Sequence, residues 1–134
     1  MIAQALLKLP DFLLFFSVSL LLVGLYLVVY TLATSHNEFG LIRQNNIAAA
    51  LSLGLSLTGF ALPLSSAVVH ANTIPDLAIW GVVAIVVQLI VYMLVRIVLP
   101  NLSARIAAGE LAAALFLGAA SLAAGVINAA AMSF

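Results

Sequence analysis

The sequence predicts an all-α polytopic membrane protein with four transmembrane helices, built as a tandem duplication of a two-helix unit. A single integral membrane domain fills residues 1–134. Three observations carry that expectation. Hydrophobic residues make up 66% of the chain and charged residues 6%, at a mean hydropathy of +1.35, whereas soluble domains are about 45–50% apolar and about 25% charged. Four apolar stretches, at about 12–34, 47–70, 77–99 and 110–132, each have the ~20 residues that cover a ~30 Å hydrocarbon core at ~1.5 Å per residue. Shifting the chain by 64 residues lays Ile47-Ala48-Ala49-Ala50-Leu51 on Leu111-Ala112-Ala113-Ala114-Leu115, Leu53-Gly54 on Leu117-Gly118, Asn37 on Asn101 and Ile42 on Ile106.

Composition also excludes. Four basic and four acidic residues give a formal net charge of zero, which removes the electrostatic case for nucleic-acid binding. With no cysteine, disulfides, thiolate metal sites and cysteine nucleophiles are ruled out.

The first span, 12–34, follows Lys8 and precedes Ala33-Thr34-Ser35. Its apolar run exceeds the 7–15 residues of a signal-peptide core, and further spans follow, so it reads as a membrane helix. Pro10 and Asp11 sit before it, where a missing N–H and a carboxylate suit a helix N-terminus. Tyr26, Tyr30 and Thr34, four residues apart, read as interfacial anchors with some packing.

Residues 35–46 form a polar connection. His36 and Glu38 are too few for a metal site and read as solvated loop residues; an exposed Glu38–Arg43 pair would stabilise little. Asn45 or Asn46 can cap the second span. That span, 47–70, carries Ala50, Gly54, Thr58, Ala61 and Ser65 at three- and four-residue intervals, a face on which helix backbones can approach closely. Pro63 removes the donor for the Gly59 carbonyl. A bent but continuous helix is expected, with Ser65 and Ser66 helping to satisfy freed carbonyls.

Thr73-Ile-Pro-Asp76 has the S/T-x-x-D pattern of a capping box at the start of the third span. Trp80 falls at an aromatic-belt position. Gln88, Tyr92 and Arg96 follow at four-residue steps and share one sector of the helix. Gln88 lies near the midplane, where an unpaired amide is costly. It should face protein through an interhelical hydrogen bond or line a polar conduit, with Arg96 snorkelling to the interface. Pro100 ends this helix. The fourth span carries a small and polar seam of Gly118, Ser121, Gly125, Asn128 and Met132, with Asn128 a strong hydrogen-bonding group inside the apolar region.

Four spans put both termini on one side. Arg43, Arg96 and Arg105 flank the first and third connections, against Lys8 on the terminal side, so the positive-inside rule places both termini outside. Ser17, Pro63, Ser65, Ser66 and Asn128 then lie toward the outer half of the bilayer and suggest an outward-facing polar pocket.

Ser35-His-Asn-Glu38, Asn45-Asn-Ile-Ala-Ala49, Pro63-Leu-Ser-Ser-Ala67, Ile74-Pro-Asp76, Trp80-Gly81 and Asn128-Ala-Ala, in this order, resemble the YjfL-type family of small bacterial inner-membrane proteins, a domain-of-unknown-function family. The resemblance implies a four-helix protein of the bacterial inner membrane made from a duplicated two-helix unit, working near membrane-stress components. It carries over no catalytic, cofactor or ligand residues.

Two functional readings stand. The first is a homo-oligomeric structural or interaction protein in envelope maintenance, packed through the small-residue faces and contacting membrane lipids and a membrane-stress partner. The second is an oligomeric channel or transporter for an ion or small solute, lined by Gln88, Tyr92 and Arg96 or by Ser65, Ser66 and Asn128. An enzyme is not expected, because His36 and His70 fall on opposite sides of the membrane and no nucleophile–base or metal constellation is present. No cofactor is expected either.

Overall fold

The computed structural model describes residues 1–132. It is all-helical, in the order α1 (Ile2–Ala33), α2 (Glu38–Arg43), α3 (Ile47–His70), α4 (Ile74–Val98), α5 (Leu102–Ala107) and α6 (Leu111–Ala131). The four long helices, α1, α3, α4 and α6, are each long and apolar enough to cross a membrane. Leu22 meets Gly81 and Tyr30 meets Tyr92, so α1 and α4 run in parallel. Gly59 meets Gly125 and Ser66 meets Ala129, so α3 and α6 do too. The start of α1 and the end of α6 therefore share one end of the bundle, the terminal end. The short helices α2 and α5 occupy the other, the loop end.

α1 starts ten residues before the expected span and holds Pro10 inside it. The carbonyl that Pro10 leaves without a donor belongs to Leu6, which is 60% exposed, so surrounding solvent or headgroups can meet it. The 32-residue helix extends about 48 Å, well beyond a ~30 Å core.

The polar connection at 35–46 is also more ordered than expected. Asn37 caps α2, its side chain accepting from the Gly40 N–H at 3.2 Å, and Leu41 and Ile42 pack on the core. α5 is its counterpart. Two residues before α3 and α6, Asn45 (φ 65°) and Gly109 (φ 86°) adopt left-handed backbone, which Gly takes freely and Asn tolerates. These residues turn the chain from the membrane surface into the next span. α2 and α5, Asn45 and Gly109, and α3 and α6 all recur at the same separation of 64 residues, whereas a third left-handed residue, Asn101 (φ 61°), matches Asn37 at φ -85°. Asn46 caps α3, accepting from the Ala49 N–H at 3.0 Å, and its amide donates to the Ala107 carbonyl of α5 at 3.1 Å. Thr73 caps α4 through the Asp76 N–H at 3.3 Å.

The principal interface is α3 against α6. α3 is continuous through Pro63, and the Gly59 carbonyl left without its helical donor faces Gly125. A Cβ on Gly125 would collide with that carbonyl, and one on Gly59 would collide with the Ser121 carbonyl. Two glycines thus let the backbones touch, which drives helix association where lipid is as apolar as the side chains. Gly118 instead makes room for the Leu55 side chain.

The face of α3 that packs is a correction to the sequence reading. Ala50, Gly54, Thr58, Ala61 and Ser65 are all exposed, and nothing lies within 4 Å of a Cβ built on Gly54. The buried face is Ala49, Ser52, Ser56, Gly59, Pro63 and Ala67. Both faces have small residues at helical spacing. The inner one also carries the serines that find partners inside the bundle.

Candidate functional site

The bundle interior between the loop end and the midplane is polar. Tyr26, Tyr30, Tyr92, Ser56, Ser121 and Gln88 are all buried. The Tyr26 hydroxyl donates to the Ser56 carbonyl at 3.4 Å. The Ser56 hydroxyl lies 3.3 Å from the Tyr30 hydroxyl and 3.3 Å from that of Ser121. Having one hydrogen, Ser56 donates to one neighbour and accepts from the other, so the row of three hydroxyls can run in either sense. Gln88 donates its amide to the Ser121 carbonyl at 3.0 Å, closing the row against α4, while its Oε1 is buried without a partner. The aromatic rings wall this row. Tyr26 stacks on Phe60 at 4.5 Å, and Tyr30 meets Tyr92 edge-on at 5.8 Å. At the loop end the Tyr92 hydroxyl pairs with Ser103 of α5 at 2.9 Å, and Ser103 accepts from the Ser35 N–H at 3.3 Å.

The loop end of the array holds the second correction. Glu38 is not solvated: its side chain is 0% exposed and that of His36 4%. The Asn37 cap sets the first turn of α2 so that Glu38 points under it, within electrostatic reach of Tyr26 and Tyr30. The ion-pair partner of Glu38 is His36, with Nε2 3.1 Å from Oε1, and not Arg43. That contact lacks hydrogen-bond alignment, so both carboxylate oxygens and both ring nitrogens are buried without a hydrogen-bond partner. Arg43 is exposed. The other ion pair among the described residues, Arg105–Glu110 at 3.3 Å, is half exposed.

The remaining sequence candidates divide. Gln88 and Tyr92 sit in the array, whereas Arg96 on the same sector is exposed at the loop end. Near the terminal end, Ser66 donates to the Ala129 carbonyl at 3.0 Å instead of to the Gly59 carbonyl, and lies 3.4 Å from His70 Nδ1. The Asn128 amide nitrogen is buried nearby in sequence without a partner. Ser17 is exposed on α1 and takes no part in this group. Ser65 lines an apolar groove of about 380 Å³ between α1 and α3 with Phe12, Phe15, Phe16 and Leu64. The anticipated outward pocket thus separates into an exposed serine, an apolar groove and the Ser66–Ala129 contact. Between that contact and the loop-end array stand the Gly59–Gly125 crossing and Phe60.

Tyr26, Tyr30, Ser56, Ser103, His36 and Glu38 were not recognised from the sequence as one site. Tyr26 and Tyr30 repeat the four-residue step of Gln88 and Tyr92, and Ser52 and Ser56 repeat it on α3, a pattern of polar groups on inward faces. Among the described residues no group of three His, Cys, Asp or Glu side chains gathers to hold a metal ion.

Four apolar spans around an interior of tyrosine, serine, glutamine and one buried carboxylate define a polytopic α-helical membrane protein with a polar core. The chain belongs to the family described as Domain of Unknown Function (DUF350), whose model matches residues 1–132. It is similar to the UPF0719 inner membrane protein YjfL of Escherichia coli (strain K12), 42% identical over 120 residues that cover 90% of this chain and 91% of that protein. The YjfL protein of Escherichia coli O157:H7 matches to the same extent. The UPF0719 transmembrane protein YshE of Bacillus subtilis (strain 168) is 28% identical over 87 residues, 65% of each chain. No solved structure matches the chain.

Proposed function

We propose that this protein is an ion-handling component of the bacterial inner membrane, a channel or transporter subunit for a small ion, in which the buried hydroxyl row is the working part. The observation that carries this reading is the row of Tyr30, Ser56 and Ser121 hydroxyls, flanked by Gln88 on the Ser121 carbonyl and by the buried Glu38 within electrostatic reach of Tyr30. Helix association in a membrane does not require it, since interhelical hydrogen bonds are worth only about 0.6 kcal/mol on average there. Polar groups inside a membrane protein characteristically mark ion pathways and proton relays. Hydroxyls that can donate in either sense suit such a relay. His36 and His70 stand at opposite ends of the bundle, which favours passage or coupling over catalysis.

The array is a half-path, entered from the loop end and closed at the Gly59–Gly125 crossing, so passage requires α3 and α6 to shift there. Purified protein in liposomes is expected to raise proton or alkali-cation flux above that of empty vesicles. Ser56→Ala, which removes the central link, is expected to lower the flux about tenfold, the effect of ~1.4 kcal/mol on a barrier. Vesicles that stay sealed at high protein load would refute the reading.

A second reading has its own support. The outward stripe of Ala50, Gly54 and Thr58 is exposed, without a packing partner among the described residues, and a second copy packed there would make a homo-oligomer acting structurally in envelope maintenance, beside a membrane-stress protein. The constant 64-residue recurrence of α2, α3 and the left-handed turn supports an origin by duplication of a two-span unit, related by a pseudo-two-fold axis along the membrane normal. Arg43, Arg96 and Arg105 all cluster at the loop end, which supports termini outside. A phosphatase reporter on the C-terminus, active only outside the cytoplasm, is expected to be active.

A further inference from the structure

We infer that Glu38 and His36 form a proton-exchange site that loads the buried hydroxyl row from the loop-end aqueous phase. This deepens the proposed ion handling by naming the ion, and it concerns equilibrium binding, which is measured without flux.

The argument starts from what the pair lacks. A carboxylate with 0% of its side chain exposed loses several kcal/mol of hydration, which proteins restore with a cation or with donated hydrogen bonds. Glu38 has neither. Among the described residues no N–H or O–H donates to either oxygen, and the nitrogen 3.1 Å away belongs to an imidazole that is cationic only when protonated. The groups facing the pair from neighbouring elements are neutral hydroxyls: Tyr26 and Tyr30 on α1, with Tyr92 of α4 behind Tyr30. The cations stand aside, Arg43 and Arg96 being exposed and Arg105 paired with Glu110.

One proton resolves this arrangement. Placed between Oε1 and Nε2 it makes either a neutral carboxyl donating to imidazole or a carboxylate accepting from imidazolium. In both forms the 3.1 Å separation is short enough for a charge-assisted or neutral hydrogen bond once the imidazole turns into line with the carboxylate. Without that proton the carboxylate is an unpaired buried charge; with a second one the pair becomes a buried cation. The site therefore holds one proton per chain.

The pair lies between a cavity and the hydroxyl row. His36 borders a cavity of about 350 Å³ against α5, lined by Ser35, Asn37, Ser103 and Ala104, and Ser35 and Asn37 are exposed. The imidazole, both of whose nitrogens are buried, thus lies between this cavity and the carboxyl, and water entering the cavity would let it take a proton on one side and release one on the other. On the inner side Glu38 lies within electrostatic reach of Tyr30 without a hydrogen bond to it, and the Tyr30 hydroxyl lies 3.3 Å from that of Ser56.

The chain has two glutamates, Glu38 and the half-exposed Glu110, so carboxyl-labelled glutamate gives two carbon NMR signals from the full protein in nanodiscs, assigned with Glu110→Gln. Titrated from about pH 4 to about pH 9, the Glu38 signal is expected to move together with the His36 ring signals at a shared midpoint, and His36→Gln is expected to shift that midpoint by about one unit or more, a tenfold change in proton affinity. A Glu38 signal that is constant over the range, or that follows Glu110 and ignores His36→Gln, overturns the assignment. The measurement reads the wild-type site directly, so it stands even where Glu38→Gln fails to fold. A coupled titration in protein that passes no ions would leave the site and remove the conduction reading, whereas flux without it would do the reverse.

Discussion

Gly125→Leu is expected to abolish the folded bundle, with the protein recovered in membranes as aggregate or lost to proteolysis. The Cβ alone would occupy the position of the Gly59 carbonyl, and that atom is backbone, fixed in the middle of α3. A flexible neighbour could swing aside; a helix must translate. Overpacking a core typically costs about 1–3 kcal/mol when side chains can adjust, so a backbone-on-backbone clash should exceed the upper figure. Moving α6 outward would also separate Ser121 from Ser56 and pull the Ser121 carbonyl from Gln88, now 3.0 Å apart. Structure and array are therefore expected to fail together. Gly54→Leu is the informative contrast, because nothing lies within 4 Å of its added Cβ. The chain is expected to fold and melt as wild type, and any change in oligomer size on gel filtration would locate the second-copy interface on α3. Comparing detergent-solubilised yield and thermal stability of the two variants decides the matter. Equal behaviour would mean that α3 and α6 do not cross at these glycines.

The four spans were legible because hydropathy and length alone settle them, and the packing seam of α6 was legible because Gly118, Ser121 and Gly125 stand out among larger residues. The inner face of α3 was not. Alanine, glycine and serine occur all round that helix, so Ala50-Gly54-Thr58 and Ser52-Ser56-Gly59 give equally good small-residue stripes, and only the partner helix distinguishes them. Pro63 offered a clue that depth arguments passed over: it frees the Gly59 carbonyl, which needs a glycine opposite, and Gly125 supplies one. Glu38 was misread for a different reason. A charged residue in a polar connection is ordinarily solvated, and its burial depends on a six-residue helix lying flat over the bundle end, held by the Asn37 cap. Asn37 and Ile42 recur at Asn101 and Ile106 beside the two short helices, but Asn37 caps α2 while Asn101 makes no side-chain cap on α5, so the recurrence alone does not specify a helix.

Tyr26→Ala is expected to lower stability by about 3–5 kcal/mol, the usual cost of deleting a large buried ring, and to silence the array as well. Tyr26 is fully buried and stacks on Phe60 at 4.5 Å with an interplanar angle of 12°, so its ring fills the wedge where α1 meets α3. The other buried residues of α1 are Leu22 and Tyr30, with Phe15, Val18, Val23, Leu27 and Val29 half-buried against the core. Tyr26→Phe separates the two contributions. It keeps the ring and removes a hydrogen bond already long at 3.4 Å, which in a membrane is worth about 0.6 kcal/mol on average. Near-native stability is therefore expected for the phenylalanine variant in a steric-trapping or denaturant-unfolding measurement, and severe loss for alanine. Were the phenylalanine variant as unstable as the alanine one, the hydroxyl would be holding α1 in place. The same pair bears on function. Tyr26 lies beside the row, its hydroxyl bonded to a carbonyl, while Tyr30 lies in it, bonded to the Ser56 hydroxyl. Tyr26→Phe should leave flux unchanged and Tyr30→Phe should reduce it. A relay requires that distinction, since carbonyls accept protons' hydrogen bonds without passing them on, and a bundle in which the polar groups merely glue helices together would show no difference between the two tyrosines.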